Sequence, residues 1–242
     1  MVRPADPAGD AAACAAIYAP YVDESPVSFE EVVPSADDFA ARIARIAATH
    51  PWLVCERDGT VAGFAYGAPH RERAAYRWAT DVSVYVDPAH QGRGIGRELY
   101  EALFARLRAQ RFQIACAGIT LPNDASVGLH ESLGFEPVGV YHGIGWKAGA
   151  WRDVGWWQLR LLPPGDDDHV PPEPLPPADL IGAVPHSVGV SRIAASPSCC
   201  VARLAAKSTV TSPIATAGTS ALLGLPSSYA AAILADGVLT RS

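Results

Sequence analysis

Residues 91–97 read Gln91-Gly92-Arg93-Gly94-Ile95-Gly96-Arg97, three glycines at alternate positions among polar and basic side chains. Where such a run joins a strand to a helix it makes an anion site. The first amides of a helix lack intrahelical partners and lie at the positive end of its dipole. Glycines let a phosphate approach that backbone closely, and Arg93 and Arg97 add positive charge. The spacing speaks against two common phosphate loops. A Walker loop needs Gly-Lys-Ser/Thr after its glycines, whereas Gly96 is followed by Arg97 and Glu98. A dinucleotide fingerprint has glycines at its first, third and sixth positions and an acid closing the next strand. Gly92, Gly94 and Gly96 are spaced differently, and the strand expected at 112–119 holds no acid. A Gln/Arg-x-x-Gly-x-Gly/Ala pattern fits in full.

The flanking sequence supplies the strand and the helix. Val82, Val84 and Val86 alternate with Ser83 and Tyr85, a strand period, and Asp87-Pro88 ends it. Ile95, Leu99, Leu103 and Leu107 recur every four residues, so a helix follows the glycines. Upstream, an alanine-rich helix is expected over 11–18 and a second one capped near Ser35, with Phe39, Ile43 and Ile46 on one face. Strands are expected at 52–56 and 61–66, joined by a hairpin turn at Arg57-Asp58-Gly59. Residues 69–78 read as a polar connection carrying His70, Arg71, Arg73, Tyr76 and Arg77. Downstream come strands at 112–119, 135–141 and 151–159, with a short helix that stops at Gly134, a candidate left-handed residue. This alternation predicts an α/β or α+β fold around one mixed, twisted central sheet flanked by helices. Trp156 and Trp157 are read as sheet packing or dimer contact.

The chain has 242 residues and a net charge of −6 without a basic block, which argues against nucleic acid as a partner. Five cysteines, none in a C-x-x-C pair, point to a reduced, cytoplasmic setting. No His spacing indicates a metal, and no apolar run approaches a membrane span. Composition changes at Pro163. Seven prolines fall between 163 and 177, and Tyr229 is the only aromatic residue after Pro163. The chain therefore divides into a folded domain over 1–162, a Pro-rich linker or extension over 163–180 and a tail over 181–242 whose composition predicts disorder.

The loop at 91–96 resembles the acetyl-CoA pyrophosphate loop of the GNAT N-acetyltransferase superfamily. Asn123, followed by a short helix that ends in Gly134-Phe135, resembles that superfamily's final motif. Val27-Ser28-Phe29, Tyr76-Arg77-Trp78, the strand before Asp87-Pro88, Leu121-Pro122-Asn123-Asp124 with His130-Glu131, and Trp151-x-Asp153-Val154 with Trp156-Trp157 are together similar to the phosphinothricin N-acetyltransferase family. The resemblance covers about 3–162 and fades by about 180. It implies a GNAT acyl-CoA N-acyltransferase fold, a homodimer, and transfer of acetyl from acetyl-CoA to phosphinothricin or a related amino acid such as methionine sulfoximine or its sulfone.

Carried over by position, the resemblance gives Gly92, Arg93, Gly94, Ile95, Gly96 and Arg97 to the pyrophosphate. It gives the backbone of Val84, Tyr85 and Val86 to the thioester and pantetheine arm, and Asn123 to the arm as well. Asp81 stands where the family usually has Glu and is the candidate base. It is one methylene shorter, so a bridging water would extend its reach. His130 stands where many members have a tyrosine that protonates the departing thiolate. Arg71, Arg73 and Tyr76 fall where the family contacts its substrate, and Phe29 would wall the pocket. A guanidinium suits a phosphinate or carboxylate because it donates two parallel hydrogen bonds. Two other readings remain open at this point. One is a non-catalytic acyl-CoA sensor that has lost its base. The other is acetylation of a protein or peptide N-terminus, which would call for an acidic groove rather than arginines at 71, 73 and 77.

Overall fold

The computed structural model describes residues 1–163 and 169–177. Strand β1 (Val2–Pro4) leads into helix α1 (Pro7–Asp23), which Asp6 caps by accepting from the Ala8 N–H at 3.2 Å. Helix α2 (Ala36–Ala47) starts at Ser35 with a reciprocal cap: Ser35 Oγ accepts from the Asp38 N–H, and the Asp38 carboxylate accepts from the Ser35 N–H. Strands β2 (Trp52–Arg57) and β3 (Thr60–Pro69) meet at Asp58-Gly59, both with positive φ, as a two-residue hairpin turn requires. Then come β4 (Ala79–Val86), α3 (Ile95–Ala109), β5 (Ile114–Leu121), α4 (Asp124–Ser132), β6 (Glu136–Lys147) and β7 (Ala150–Arg160). Gly134 follows α4 at φ +91, as its sequence position predicts.

One seven-stranded mixed sheet runs in the order β1-β2-β3-β4-β5-β7-β6, with β4 and β5 as its parallel pair. Helix α3 packs on one face through Leu99, Leu103 and Leu107, none of which keeps any exposure. Each such leucine contributes about 1.5–3 kcal/mol of burial. Helices α1 and α2 cover the other face through Ile17, Tyr18, Phe39 and Ile43, against Trp52, Val54 and Phe64. The sheet is thus buried on both sides at β2–β4, which fixes the register of β4.

Three elements differ from the sequence reading. Helix α1 runs through Pro20 to Asp23, five residues past the expected end. Strand β1 is too short to show an alternation and owes its place to pairing with Leu53–Cys55 of β2. Strand β6 extends to Lys147, six residues past the expected end, because β7 pairs with it through Trp146↔Trp151 and Lys147↔Ala150. The Pro-rich segment is also more than a spacer where it is described. Leu175 exchanges backbone and side-chain hydrogen bonds with the fully buried Gln110, the Trp78 indole N–H donates to the Pro172 carbonyl at 3.0 Å, and Glu173 pairs with Arg77. The tail expected over 181–242 lies outside the described residues.

Candidate active site

Strands β4 and β5 pair only over Ala79–Asp81 and Ile114–Cys116. Beyond that point β4 stays on β3 as far as Val86↔Gly63, while β5 stays on β7 as far as Leu121↔Asp153. The sheet therefore opens from within. The cleft is lined by Val82–Tyr85 on one side and Ala117–Thr120 on the other, with Val27, Tyr100, Asn123 and His130 around it. The Asp87 N–H bonds back to Ala62 of the β3 side at 3.0 Å. By the alternation of an antiparallel ladder, Ser83 and Tyr85 also bond toward β3, and the N–H and C=O groups of Val84 and Val86 face the opening. Val86 meets the Tyr21 hydroxyl there, which donates to its carbonyl at 2.6 Å. Tyr21 in turn accepts from Gln91 Nε2 at 3.0 Å, tying the first residue of the glycine loop to the end of β4.

The loop enters α3 with Gly92 at φ +72 and Gly94 at φ +78. A Cβ built on either glycine would meet nothing within 4 Å, so the approach to the loop amides is open. Gly96 differs, because a Cβ there would come within 3.1 Å of Leu129 Cδ2; this glycine serves the contact between α3 and α4. The Ile95 side chain is core, at 1 % exposure, which leaves its backbone amide as the part available to a ligand. Arg93 is exposed, and Arg97 bonds Ser132 Oγ at 2.7 Å. At the far wall, Asn123 caps α4 by accepting from the Ser126 N–H at 3.1 Å, which leaves its amide NH2 free to donate.

His130 is buried at 3 % exposure. Its Nδ1 lies 2.7 Å from the Ser126 carbonyl, an acceptor, so Nδ1 carries the proton and Nε2 accepts from the Tyr100 hydroxyl at 3.0 Å. Burial lowers its pKa, which favours the neutral ring. Both ring nitrogens are engaged, and Tyr100 and Ser126 line the cleft beside the ring. Tyr100, one residue beyond the Leu99 stripe, carried no sequence signal.

Where the cleft closes, Asp81 Oδ1 lies 2.6 Å from His70 Nδ1. Cys116, opposite Asp81 in β5, brings its Sγ to within 4.8 Å of both, a His-Asp-Cys set that no linear spacing revealed. Burial and the Asp81 charge push the Cys116 thiol up to about 11, so it is neutral. The His70 ring makes edge contacts with Tyr76 at 5.8 Å and Trp156 at 6.0 Å. The Arg71 guanidinium lies 5.6 Å from the Trp156 ring, and its Nη1 donates to the His70 carbonyl. Asp81, Arg71 and Tyr76 are thus brought together, and His70 and Trp156 join them. Arg73 lies exposed at the start of the turn Ala74–Tyr76. Phe29 lies instead on β6, where its ring fills the space a Cβ at Gly145 would need.

The sequence model of the acetyltransferase (GNAT) family matches residues 15–135, half of the chain. The chain belongs to this family. It is an N-acetyltransferase that uses acetyl-CoA. The matched stretch runs from α1 to Phe135 and includes the glycine loop, the cleft and the His70–Asp81 pair; Trp156 lies beyond it. The acetyltransferase is 39% identical over 180 residues to the phosphinothricin N-acetyltransferase of Streptomyces viridochromogenes, covering 74% of this chain and 95% of that protein. It is 36% identical over 168 residues to the L-methionine sulfoximine/L-methionine sulfone acetyltransferase of Salmonella typhimurium, covering 68% and 95%. The solved structure of a GNAT superfamily phosphinothricin acetyltransferase from Sinorhizobium meliloti in complex with acetyl-CoA is similar at a TM-score of 0.64 and 32% identity, covering 69% of this chain and 94% of that one. Among the described residues, no helix is long and apolar enough to cross a membrane.

Proposed function

We propose that this acetyltransferase acetylates the α-amino group of a small anionic amino acid of the phosphinothricin or methionine sulfoximine type, by direct attack while both substrates are bound. The observation that carries the reading is the parting of β4 from β5 at Asp81 and Cys116. It turns the backbone groups of Val84 to the opening, between the glycine loop and a cluster holding a carboxylate and Arg71. Acetyl-CoA supplies an acetyl group activated as a thioester. The open amides at Gly92 and Gly94 and the charge of Arg93 hold its pyrophosphate, while the Val84 N–H and the Asn123 amide hold the arm. Arg71 and Arg73 take the acceptor's anionic groups, with Tyr76 beside them. The neutral thiol of Cys116 supports direct attack, since an acyl-enzyme needs a thiolate.

Thiol release from acetyl-CoA across a panel of phosphinothricin, methionine sulfoximine, methionine sulfone, spermidine and a peptide tests the reading. The two amino-acid classes are expected to turn over first. Preference for the peptide favours N-terminal acetylation, and CoA binding without turnover of any amine favours a sensor. Arg73→Ala is expected to raise the KM for the preferred amino acid about 10- to 100-fold with a smaller change in kcat, the effect of losing a charge-assisted bond of about 1.5–3 kcal/mol.

We propose a homodimer as well, formed on the β6–β7 hairpin, where Val138, Trp146 and Trp151 are 62%, 59% and 66% exposed. Trp146 and Trp151 meet edge to face at 5.5 Å, and exposed apolar side chains at Val138, Val140 and Ile144 continue along β6, which marks an association surface. Sedimentation is expected to give a dimer, and Trp146→Asp with Trp151→Asp a monomer; a monomeric parent would refute it. The free thiols of Cys14, Cys55 and Cys116 support a cytoplasmic setting.

A further inference from the structure

We propose that His70 is the group that takes the amine's proton, with Asp81 as the residue that positions it. The inference rests on the proposed transfer to an amino acid and changes which atom does the proton chemistry there. It starts from a mismatch of reach. Asp81 is a short side chain at the closed end of the cleft, and its Oδ1 is already engaged with His70 Nδ1 at 2.6 Å. A carboxylate oxygen is an acceptor, so Nδ1 carries a proton, and in the neutral ring Nε2 keeps its lone pair. Among the described residues, no group bonds Nε2. The ring therefore presents a basic nitrogen one imidazole width beyond Asp81, at the distance a water would otherwise have to bridge.

The surroundings are suited to this work. The carboxylate fixes the tautomer and stabilises the imidazolium that forms, the arrangement by which an acid and a histidine activate many nucleophiles. The groups facing the ring are Asp81 from β4, Cys116 from β5, Trp156 from β7, and Tyr76 and Arg71 from its own loop. Cys116 is neutral and does not compete for the proton. Arg71 points its charge at Trp156 and at the His70 carbonyl, which leaves Asp81 as the carboxylate paired with the ring. The His70 side chain is 16% exposed, held by contacts on several sides yet open to solvent.

The protons balance as follows. The acceptor enters as an ammonium and gives one proton to His70 Nε2. Its freed lone pair forms the C–N bond to the acetyl carbon as the C–S bond breaks. The nitrogen loses its second proton, which ends on the departing sulfur. The proton on His70 passes to water, so each turnover releases one proton net.

His70→Gln and His70→Ala test the assignment, measured with phosphinothricin and with methionine sulfoximine, alongside thermal melting and calorimetric titration with CoA. Glutamine can still donate an amide N–H to Asp81, so the pair survives while the basic nitrogen is lost. The expected result is a fall in kcat of about 100-fold or more in both variants, with CoA affinity unchanged and the acidic limb of the parent's pH–kcat profile removed. Added imidazole is expected to restore part of the rate in His70→Ala and none in His70→Gln, whose side chain fills the space. If His70→Gln keeps kcat within about threefold of an active parent, with the acidic limb intact, the dyad is overturned and Asp81 acts alone. If the parent turns over neither amino acid, the proposed acceptor class falls first and the role of His70 with it.

Discussion

Asp81→Asn is expected to lower kcat about 100-fold or more while the affinity for CoA stays within about threefold. The asparagine is nearly isosteric, so packing against His70 and Cys116 survives. What disappears is the negative charge at the closed end of the cleft. Without it the amide can face His70 Nδ1 with either its oxygen or its NH2, and the imidazolium that forms on proton transfer loses its counter-charge. Asp81→Glu separates geometry from charge. It is expected to keep turnover within about tenfold of the parent, because its carboxylate either holds His70 or reaches the amine itself. Steady-state thiol release at pH 7 reads both. If Asp81→Asn matches the parent, Asp81 has neither role.

The second large effect concerns the loop. Gly94→Val is expected to weaken CoA binding about 10-fold or more, a loss of about 1.4 kcal/mol per decade. Gly94 sits at φ +78, where a β-branched residue is strained, so the loop amides must shift. The fold should survive, since the loop is exposed and a Cβ there meets nothing within 4 Å. Gly96→Ala is the contrast: its Cβ presses on Leu129, so the change should lower the melting temperature more than the affinity. Calorimetric titration with CoA and thermal melting on the two variants distinguish these. Unchanged affinity in Gly94→Val would count against the loop as the pyrophosphate site.

Local chemistry explains what the sequence made legible. The turn at Asp58-Gly59, the Ser35–Asp38 cap, the stop at Gly134 and the strand–loop–helix around Gly94 each depend on residues within a few positions of one another. The elements that complete the site do not. His70 meets Asp81 because β3 and β4 pair in a register that brings Pro69 opposite Thr80, and no short turn fixes that register from sequence. Cys116 and Trp156 arrive from β5 and β7, and only the strand order brings them beside Asp81. Tyr100 gives no local signal for the same reason, since its partner His130 is thirty residues away. Strand β6 runs past the expected end at 141 through Gly143 and Gly145, residues that weaken a strand pattern, and Gly145 is small to admit Phe29.

The opening between β4 and β5 is shut at one end, and this makes the cleft a ruler. A ligand lying along the free edge of β4 can slide inward only until it meets the paired residues at Asp81 and Cys116. The distance from the glycine loop to that stop is counted in strand residues of about 3.3 Å each. A carrier whose phosphate is gripped at Gly92 and Gly94 must therefore bring its far end to a fixed mark. Extending the β4–β5 pairing by one residue would shorten the scale by one step, and the acyl carbon would no longer stop beside the dyad. In the proposed reading, the point where the two strands cease to pair sets the carrier length, apart from the residues that would recognise the amino acid.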